Sequence, residues 1–272
     1  MAHLDAASLL NSELGAIAGT SLLYLPETTS TQDVARELLD RGARAGTAII
    51  AGSQSSGRGT RGRHWISEPG AGLYASLLVS VPARVEAVQW LTPAIAVAVV
   101  QALRGLTTVP PRLKWPNDVL LGDAKVAGVL TEIPGSSHLA IAGIGVNIHA
   151  APVETVSYPV TCLDNWALRK VTREEVAARL FREVDHILAE LARGRIDHVK
   201  EAWRLLLDTL GRRVVIEVGG TLVKGRARHV DAAGALIVRT DEQRSVRVSS
   251  SEAGTVRHDL EEQPTAWPQF GG

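Results

Sequence analysis

At Gly211 the apolar pattern of this 272-residue chain changes its period. Before that point two stretches run at helical spacing. Thr172 and Glu175 make a capping box, and Val176, Leu180, Val184, Ile187, Leu188 and Leu191 share one face up to Gly194. Val199, Trp203, Leu206, Leu207 and Leu210 form a second stripe that Gly211 closes. Beyond Gly211, Val214, Ile216 and Val218 alternate, Gly219-Gly220 offers a two-residue hairpin turn, and short strand signals continue to about His258. A helical layer and an all-β piece of about fifty residues do not share one layer, so the pattern predicts a main domain with a small barrel appended.

Upstream, helix and strand signals alternate. Ser30 or Thr31 can cap a helix carrying Val34, Ala35, Leu38 and Leu39, with Gly42 where such helices stop. Ala48 to Ala51 is short, apolar and β-compatible; it feeds Gly52 to Arg63, a run of small and basic residues that reads as a mobile loop. Leu73 to Val81 reads as a strand, and Thr92 with Pro93 as the cap and first residue of a helix ending near Leu103. Leu113 to Trp115, Lys125 to Ile133 and Leu139 to Ile148 are further strands, the last two a buried hairpin around Pro134, Gly135 and Ser136. The expected division is an extension at 1–20, a main domain at 21–210, a small β domain at 211–258 and a frayed tail at 259–272.

Composition closes off several classes. The 29 basic and 29 acidic side chains cancel, so no overall field holds the molecule on nucleic acid or an anionic membrane, and any cationic work is local. The lone Cys162 cannot form an intramolecular disulfide; it reads as a buried structural thiol and favours a reducing cytoplasm. The first twenty residues hold Asp5 and Glu13 and lack the basic head of a signal peptide. The most apolar stretch, Ala94 to Leu103, is about half of the ~20 residues a membrane crossing needs. The eight histidines are scattered, with no metal-ligand spacing.

Three constellations carry chemistry. Gly57-Arg58-Gly59-Thr60-Arg61-Gly62-Arg63 fits G-x-G-x-x-G in letters, but arginines stand where a dinucleotide fold needs packing residues, and Gln54, Ser55 and Ser56 separate it from the preceding strand. Glycines between arginines suit anion binding instead, because the backbone can approach an anion while guanidinium forks grip it. Lys114-Trp115-Pro116-Asn117-Asp118 ends a predicted strand; Pro, Asn and Asp also favour plain turns, so turn and site both stand for this run alone. Lys125, before Val126-Ala127-Gly128, puts a charge into an apolar strand, and Gly143-Ile144-Gly145-Val146-Asn147 lets a backbone or ligand come close beside an amide.

Taken in order, Ser30-Thr31, Gln54 with Gly57-Arg58-Gly59 and Gly62-Arg63, Trp65, Lys114-Trp115-Pro116-Asn117-Asp118, Lys125-Val126-Ala127-Gly128 and Gly143-Ile144-Gly145-Val146-Asn147 resemble the biotin–protein ligase family, over about Leu22 to His258. The resemblance implies an α+β fold, a mixed β-sheet with helices on one side like that of class II aminoacyl-tRNA synthetases, followed by a small C-terminal SH3-like β-barrel. It implies ATP-dependent conversion of biotin to biotinyl-5'-AMP and transfer to a lysine of the biotin carboxyl carrier domain of an acetyl-CoA, acyl-CoA or pyruvate carboxylase. By the same resemblance Ser30, Thr31, Gln54, Gly57, Arg58, Lys125 and Gly128 would meet biotin. Arg58, Arg61, Arg63, Trp65, Lys114, Asn117 and Asn147 would meet ATP or the adenylate. Lys125, Arg58 and Asp118 would be catalytic, Mg²⁺ would arrive with ATP, with Asp118 nearby, and the enzyme would be a monomer or homodimer.

Two departures from the family pattern stand out. Thr60 occupies a place where many members carry arginine, which leads to the expectation that Arg61 partly substitutes and that Thr60→Arg holds the adenylate more firmly; Gln32 replaces the usual Asn after Ser-Thr. Only about twenty residues precede the catalytic pattern, too few for the helix-turn-helix of the repressor-type relatives, so a ligase without specific DNA binding is expected. A lipoate ligase or lipoyl/octanoyl transferase of the same superfold is the nearest rival, and the Lys-Trp-Pro-Asn-Asp and Gly-Arg-Gly runs favour biotin. A nucleic-acid-binding module is the rival from another class; zero net charge and basic residues without interleaved aromatics count against it.

Overall fold

The computed structural model describes residues 21–152 and 158–259; the expected extension at 1–20 and the expected tail lie outside them, apart from Asp259. The chain divides into two compact units, one running to Leu113 and again over Asn117–Leu206, the other taking Lys114–Pro116 and the residues from Leu207 onward.

The first unit is built from strands β1 (Ser21–Leu25), β2 (Thr47–Ala51), β3 (Gly72–Ser80), β4 (Arg112–Lys114), β5 (Asp118–Leu121), β6 (Ala124–Glu132) and β7 (Leu139–Asn147). Its helices are α1 (Thr31–Asp40), α2 (Val85–Val88), α3 (Leu91–Leu103), α4 (Arg173–Ala192) and α5 (Ile196–Leu206). The strands form a seven-stranded mixed sheet in the order β1-β2-β3-β7-β6-β5-β4. β1 runs parallel to β2, and β2/β3, β3/β7, β6/β7 and β5/β6 are antiparallel.

Register creates the feature on which function depends. Ser76 lies opposite Gly143, Tyr74 opposite Gly145, and Gly145 opposite Gly128, so one face carries a patch of small residues across three strands. Ile49 pairs with Ser76 and Leu78 with Ile141, so these apolar residues share that face, and α1 packs on them through Ala35. Each fully buried leucine or isoleucine there contributes about 1.5–3 kcal/mol. Helix α1 fills its part of the face; the glycines raise no side chains of their own, and Gln32 and the Trp65 indole come down over Gly143 and Gly145. α3, apolar on nearly every side, packs on α4, α5, β5 and β6. Trp90 and Trp203 meet edge to face at 5.4 Å under these helices.

Two boundaries differ from the sequence expectation. Helix α3 starts at Leu91 after Trp90, with no side-chain cap, which puts Pro93 third rather than first; first-turn amides have no intrahelical acceptor, so proline is tolerated there. Helix α5 stops at Leu206, short of Leu210, because Asp208 and Thr209 turn into the second unit, where Asp208 meets Arg212 at 2.8 Å. The short elements β1, β5 and α2 carry too few residues for a periodic signal.

The second unit is a five-stranded antiparallel sheet of β8 (Arg213–Val218), β9 (Thr221–Val230), β10 (Leu236–Thr240), β11 (Ser245–Val248) and β12 (Ala253–His258), ordered β11-β10-β9-β8-β12. Gly219 and Gly220 turn β8 into β9 at φ 55° and 81°, the left-handed conformation the Gly-Gly pair allows. Val214, Ile216, Ala227, Leu236, Val238 and Val248 make its core. Trp115 belongs here: its backbone N–H donates to Thr209 Oγ1 and its indole N–H to Gly234 O, both at 2.9 Å.

Candidate active site

A cleft opens beside the glycines, with Gly128, Gly143 and Gly145 in its lining. At one wall α1 begins. Ser30 is its N-cap, in extended backbone, and its hydroxyl accepts from Gln32 N at 3.3 Å. Thr31 donates its N–H and its hydroxyl to Gln54 Oε1 at 2.8 and 3.2 Å, while Ser76 Oγ donates to Thr31 Oγ1 at 2.8 Å. Gln54 Nε2 donates to Ser67 Oγ at 2.7 Å, and Ser67 Oγ to Trp65 O at 3.2 Å. The amide of Gln54 is thereby oriented from both ends. This relay of hydroxyls and an amide offers directional partners to a neutral heterocycle.

The glycine-arginine segment is tied by its own backbone. Gly59 N donates to Arg63 O at 2.7 Å and Trp65 N to Gly57 O at 2.9 Å, with a single turn over Thr60–Gly62 at its tip. Gly57 has no room for a side chain, since a Cβ would stand 2.3 Å from Trp65 O. Arg61 is left-handed (φ 61°, ψ 42°) and exposed, and it is not among the residues lining the cleft; Arg58, Thr60 and Arg63 are. Thr60 holds Arg63, accepting from its Nη2 on the hydroxyl at 2.6 Å and from its Nε on the carbonyl at 3.1 Å.

On the opposite wall Lys125 Nζ sits 2.5 Å from Asp118 Oδ1, with the side chains only 12% and 18% exposed. Strict alternation along β6 would send Lys125 and Gly128 to opposite faces. The β5/β6 ladder shifts register between Val119 and Leu120, next to Lys125, and the ammonium comes to 3.1 Å from where a Gly128 Cβ would stand. The Lys125 backbone is clamped by Pro159 O and Thr161 N, both at 2.9 Å. Its ammonium lies 5.2 Å from the centroid of the Trp65 ring and 5.3 Å from that of Tyr158. The Trp65 indole lies over Gly145, and its buried N–H has no acceptor among the described residues.

Of the residues expected at the site, Ser30, Thr31, Gln54, Arg58, Arg63, Trp65, Asn117, Asp118, Lys125 and Gly128 line one cleft. Asn117 donates from Nδ2 to Val129 O, which binds the start of β5 to β6. Gly57, Arg61, Lys114 and Asn147 do not line it: Lys114 is buried and groups with the second unit, and Asn147 Nδ2 donates to Thr161 O at 3.1 Å. Sequence reasoning passes over Ser67, Ser76 and Asp33. The first two are single serines with no local signal. Asp33 is a first-turn helix acid, a position common for dipole reasons alone.

The fold and cleft define a class, and comparison with known proteins agrees on it. Residues 24–148 match the biotin/lipoate A/B protein ligase family, and residues 209–253 match the biotin protein ligase C-terminal domain. The chain is 34% identical over 266 residues to the biotin--[acetyl-CoA-carboxylase] ligase of Mycobacterium tuberculosis, covering 94% of this chain and 96% of that protein. It is 33% identical over 242 residues to the bifunctional ligase/repressor BirA of Escherichia coli, covering 86% and 74%. The Aquifex aeolicus biotin protein ligase solved with biotin and ATP superposes with a TM-score of 0.75 at 29% identity, covering 88% of this chain and all of that one. The chain belongs to the biotin protein ligase family.

Proposed function

We propose that this chain activates biotin with ATP to biotinyl-5'-AMP and transfers it to a lysine of a carboxylase's biotin carrier domain. The observation that carries the reading is one ammonium, Lys125, set between a glycine-floored cleft and the Gly-Arg segment, opposite a hydroxyl–amide relay.

The chemistry explains why such a cleft is needed. A carboxylate does not acylate an amine at neutral pH, because its leaving group would be oxide. Attack of the carboxylate oxygen on the α-phosphorus of ATP, with pyrophosphate leaving, makes a mixed anhydride whose leaving group is AMP. Negative charge gathers on the α-phosphoryl oxygens as two anions meet, and a fixed ammonium offsets it in a largely dry site. In this reading Lys125 supplies that charge, and its pairing with Asp118 and contact with Trp65 hold it in place. Ser30, Thr31 and Gln54 orient the ureido ring, and Arg58 and Arg63 meet the carboxylate and phosphate. The buried Trp65 N–H is a donor that an acceptor on the nucleotide would satisfy, relieving the cost of leaving it unpaired.

Magnesium is expected to come with the nucleotide. Among the described residues no three His, Cys, Asp or Glu come together as a metal-ligating group, and Asp118 is paired with Lys125. In the second half-reaction the target amine must be neutral; with a reference pKa near ~10.4 only about one in a thousand is so at pH 7.4. The acceptor class follows from relatives named for acetyl-CoA carboxylase; pyruvate carboxylase and a monomer or homodimer complete the proposal. A cytoplasmic location accords with the buried free thiol of Cys162. No described helix is long and apolar enough to cross a membrane.

The test is biotin-dependent exchange of pyrophosphate into ATP, with calorimetry of biotin binding, for wild type and Lys125→Ala. The wild type is expected to catalyse exchange, and Lys125→Ala to lose on the order of 10²–10³-fold in rate, the size of one lost charge-stabilising contact. A wild type that neither binds biotin nor exchanges pyrophosphate would end the proposal, and an unimpaired Lys125→Ala would remove the role of Lys125.

A further inference from the structure

The partner of Arg58 in this structure is Asp33. Arg58 Nη1 donates to Asp33 Oδ1 at 2.8 Å, with Glu132 Oε2 3.9 Å from the same nitrogen. Glu132, at the end of β6, is itself held by Arg36 Nη2 at 2.8 Å. Asp33 and Arg36 lie three residues apart on α1, the helix whose cap, Ser30, and first residue, Thr31, line the cleft. Two carboxylates and two guanidiniums thus form a balanced cluster at the cleft wall, joining α1 to the Gly-Arg segment.

We infer that Asp33 is a positioning residue that holds Arg58 beside the cleft in the ligand-free enzyme and gives it up to the carboxylate or phosphate of the incoming ligand, so that Asp33 sets ligand affinity by competing with it. The inference rests on the assignment of Arg58 to the ligand. An arginine on a glycine-flanked segment samples many positions, and an anion on a rigid helix selects one near the cleft. The pair is suited to exchange rather than permanent fixing, because both side chains are over 40% exposed and such pairs are weak. When Arg58 turns to a ligand, Glu132 keeps Arg36 while Asp33 loses its guanidinium, and that unbalanced carboxylate draws Arg58 back once the ligand leaves.

The experiment is calorimetry of biotin, alone and with ATP and magnesium, together with KM and kcat for pyrophosphate exchange. It compares wild type, Asp33→Asn, Asp33→Glu, Arg58→Ala and the Asp33→Asn/Arg58→Ala double variant. Asp33→Asn is expected to tighten binding by about two- to fivefold and to lower KM with little change in kcat, the scale of an exposed ion pair. Asp33→Glu should restore the wild-type constant, and in the Arg58→Ala background the Asp33→Asn change should have no effect, since there is no arginine to release. Unchanged or weaker binding in Asp33→Asn would overturn the inference, as would the same shift with Arg58 absent, which marks an effect through the helix. A wild type without biotin-dependent exchange would overturn the ligase reading instead, and is recognised before any variant is compared.

Discussion

Adding one methyl group at Gly145 tests whether the bare strip of the sheet is what places the Trp65 indole. A Cβ there would stand 2.3 Å from Cε2 and 2.6 Å from both Cζ2 and Nε1 of that ring. Carbon atoms in contact prefer about 3.5–4.0 Å, so the ring must withdraw by about 1.2 Å or more. The backbone cannot yield in its place, because Gly145 lies within β7 with Tyr74 and Gly128 paired on either side. Overpacking of this kind costs about 1–3 kcal/mol, and for a chain of this length each kilocalorie lowers Tm by about 2–4 °C. The larger effect falls on the chemistry. The withdrawing ring breaks its contact with the Lys125 ammonium, now 5.2 Å from the ring centroid, and a misplacement of about 1 Å in a reacting site can cost about 100-fold. Gly145→Ala is therefore expected to remain folded and to lose on the order of 100-fold in biotin-dependent pyrophosphate exchange. Gly143→Ala is the control, since its Cβ would meet the flexible amide of Gln32 at 2.9 Å, and it should lose far less. A Gly145→Ala enzyme with the wild-type rate and Tm would refute the argument.

Replacing Thr60 by Ala or by Arg removes the hydroxyl that accepts from Arg63, so both variants are expected to release free biotinyl-adenylate several-fold faster than wild type, measured by filter or quench assay. This reverses the gain that the family pattern suggests for arginine at this position. His258 gives a pH signature: burial, with the charges of Lys114 and Arg212 added, holds its imidazole down at about 3, and its Nε2 lies 2.9 Å from Thr209 Oγ1. The unfolded chain takes up that proton below about 6.5 and the folded chain does not, so stability is complete above about pH 6.5 and falls as pH drops from there toward about 3. Melting curves should show the loss beginning between about pH 6.5 and 5, above the carboxylate range, and a stably folded His258→Gln variant should lack that part of it.

How much of this is legible in the string depends on distance along the chain. The Gly-Arg segment, Lys125-Val126-Ala127-Gly128 and the Ser30 cap are local runs whose residue types already state a chemistry, and the structure gathers them at one cleft. The period change near Gly211 is local in the same way, since alternation and helical spacing are properties of short windows, whereas the inclusion of Lys114–Pro116 in the second unit has no such local sign. Register is not local. That Gly128 faces Gly145, or that a shift in the β5/β6 ladder carries Lys125 to the face its position would deny it, follows from strand pairing that no window of sequence contains. Asp33 and Arg58, 25 residues apart, are unremarkable until α1 and the segment are side by side. The same limit divides Lys-Trp-Pro-Asn-Asp. As a string it reads as one site, yet Asn117 and Asp118 line the cleft while Trp115 spends its indole N–H on Gly234 in the second unit. One short run therefore does two jobs, and a Trp115 variant should be read first for the stability of the β unit and only then for catalysis. The cleft itself is made by side chains that are absent, so its sequence signal is the glycine spacing, while its floor and its occupant's place are set by which strands those glycines meet.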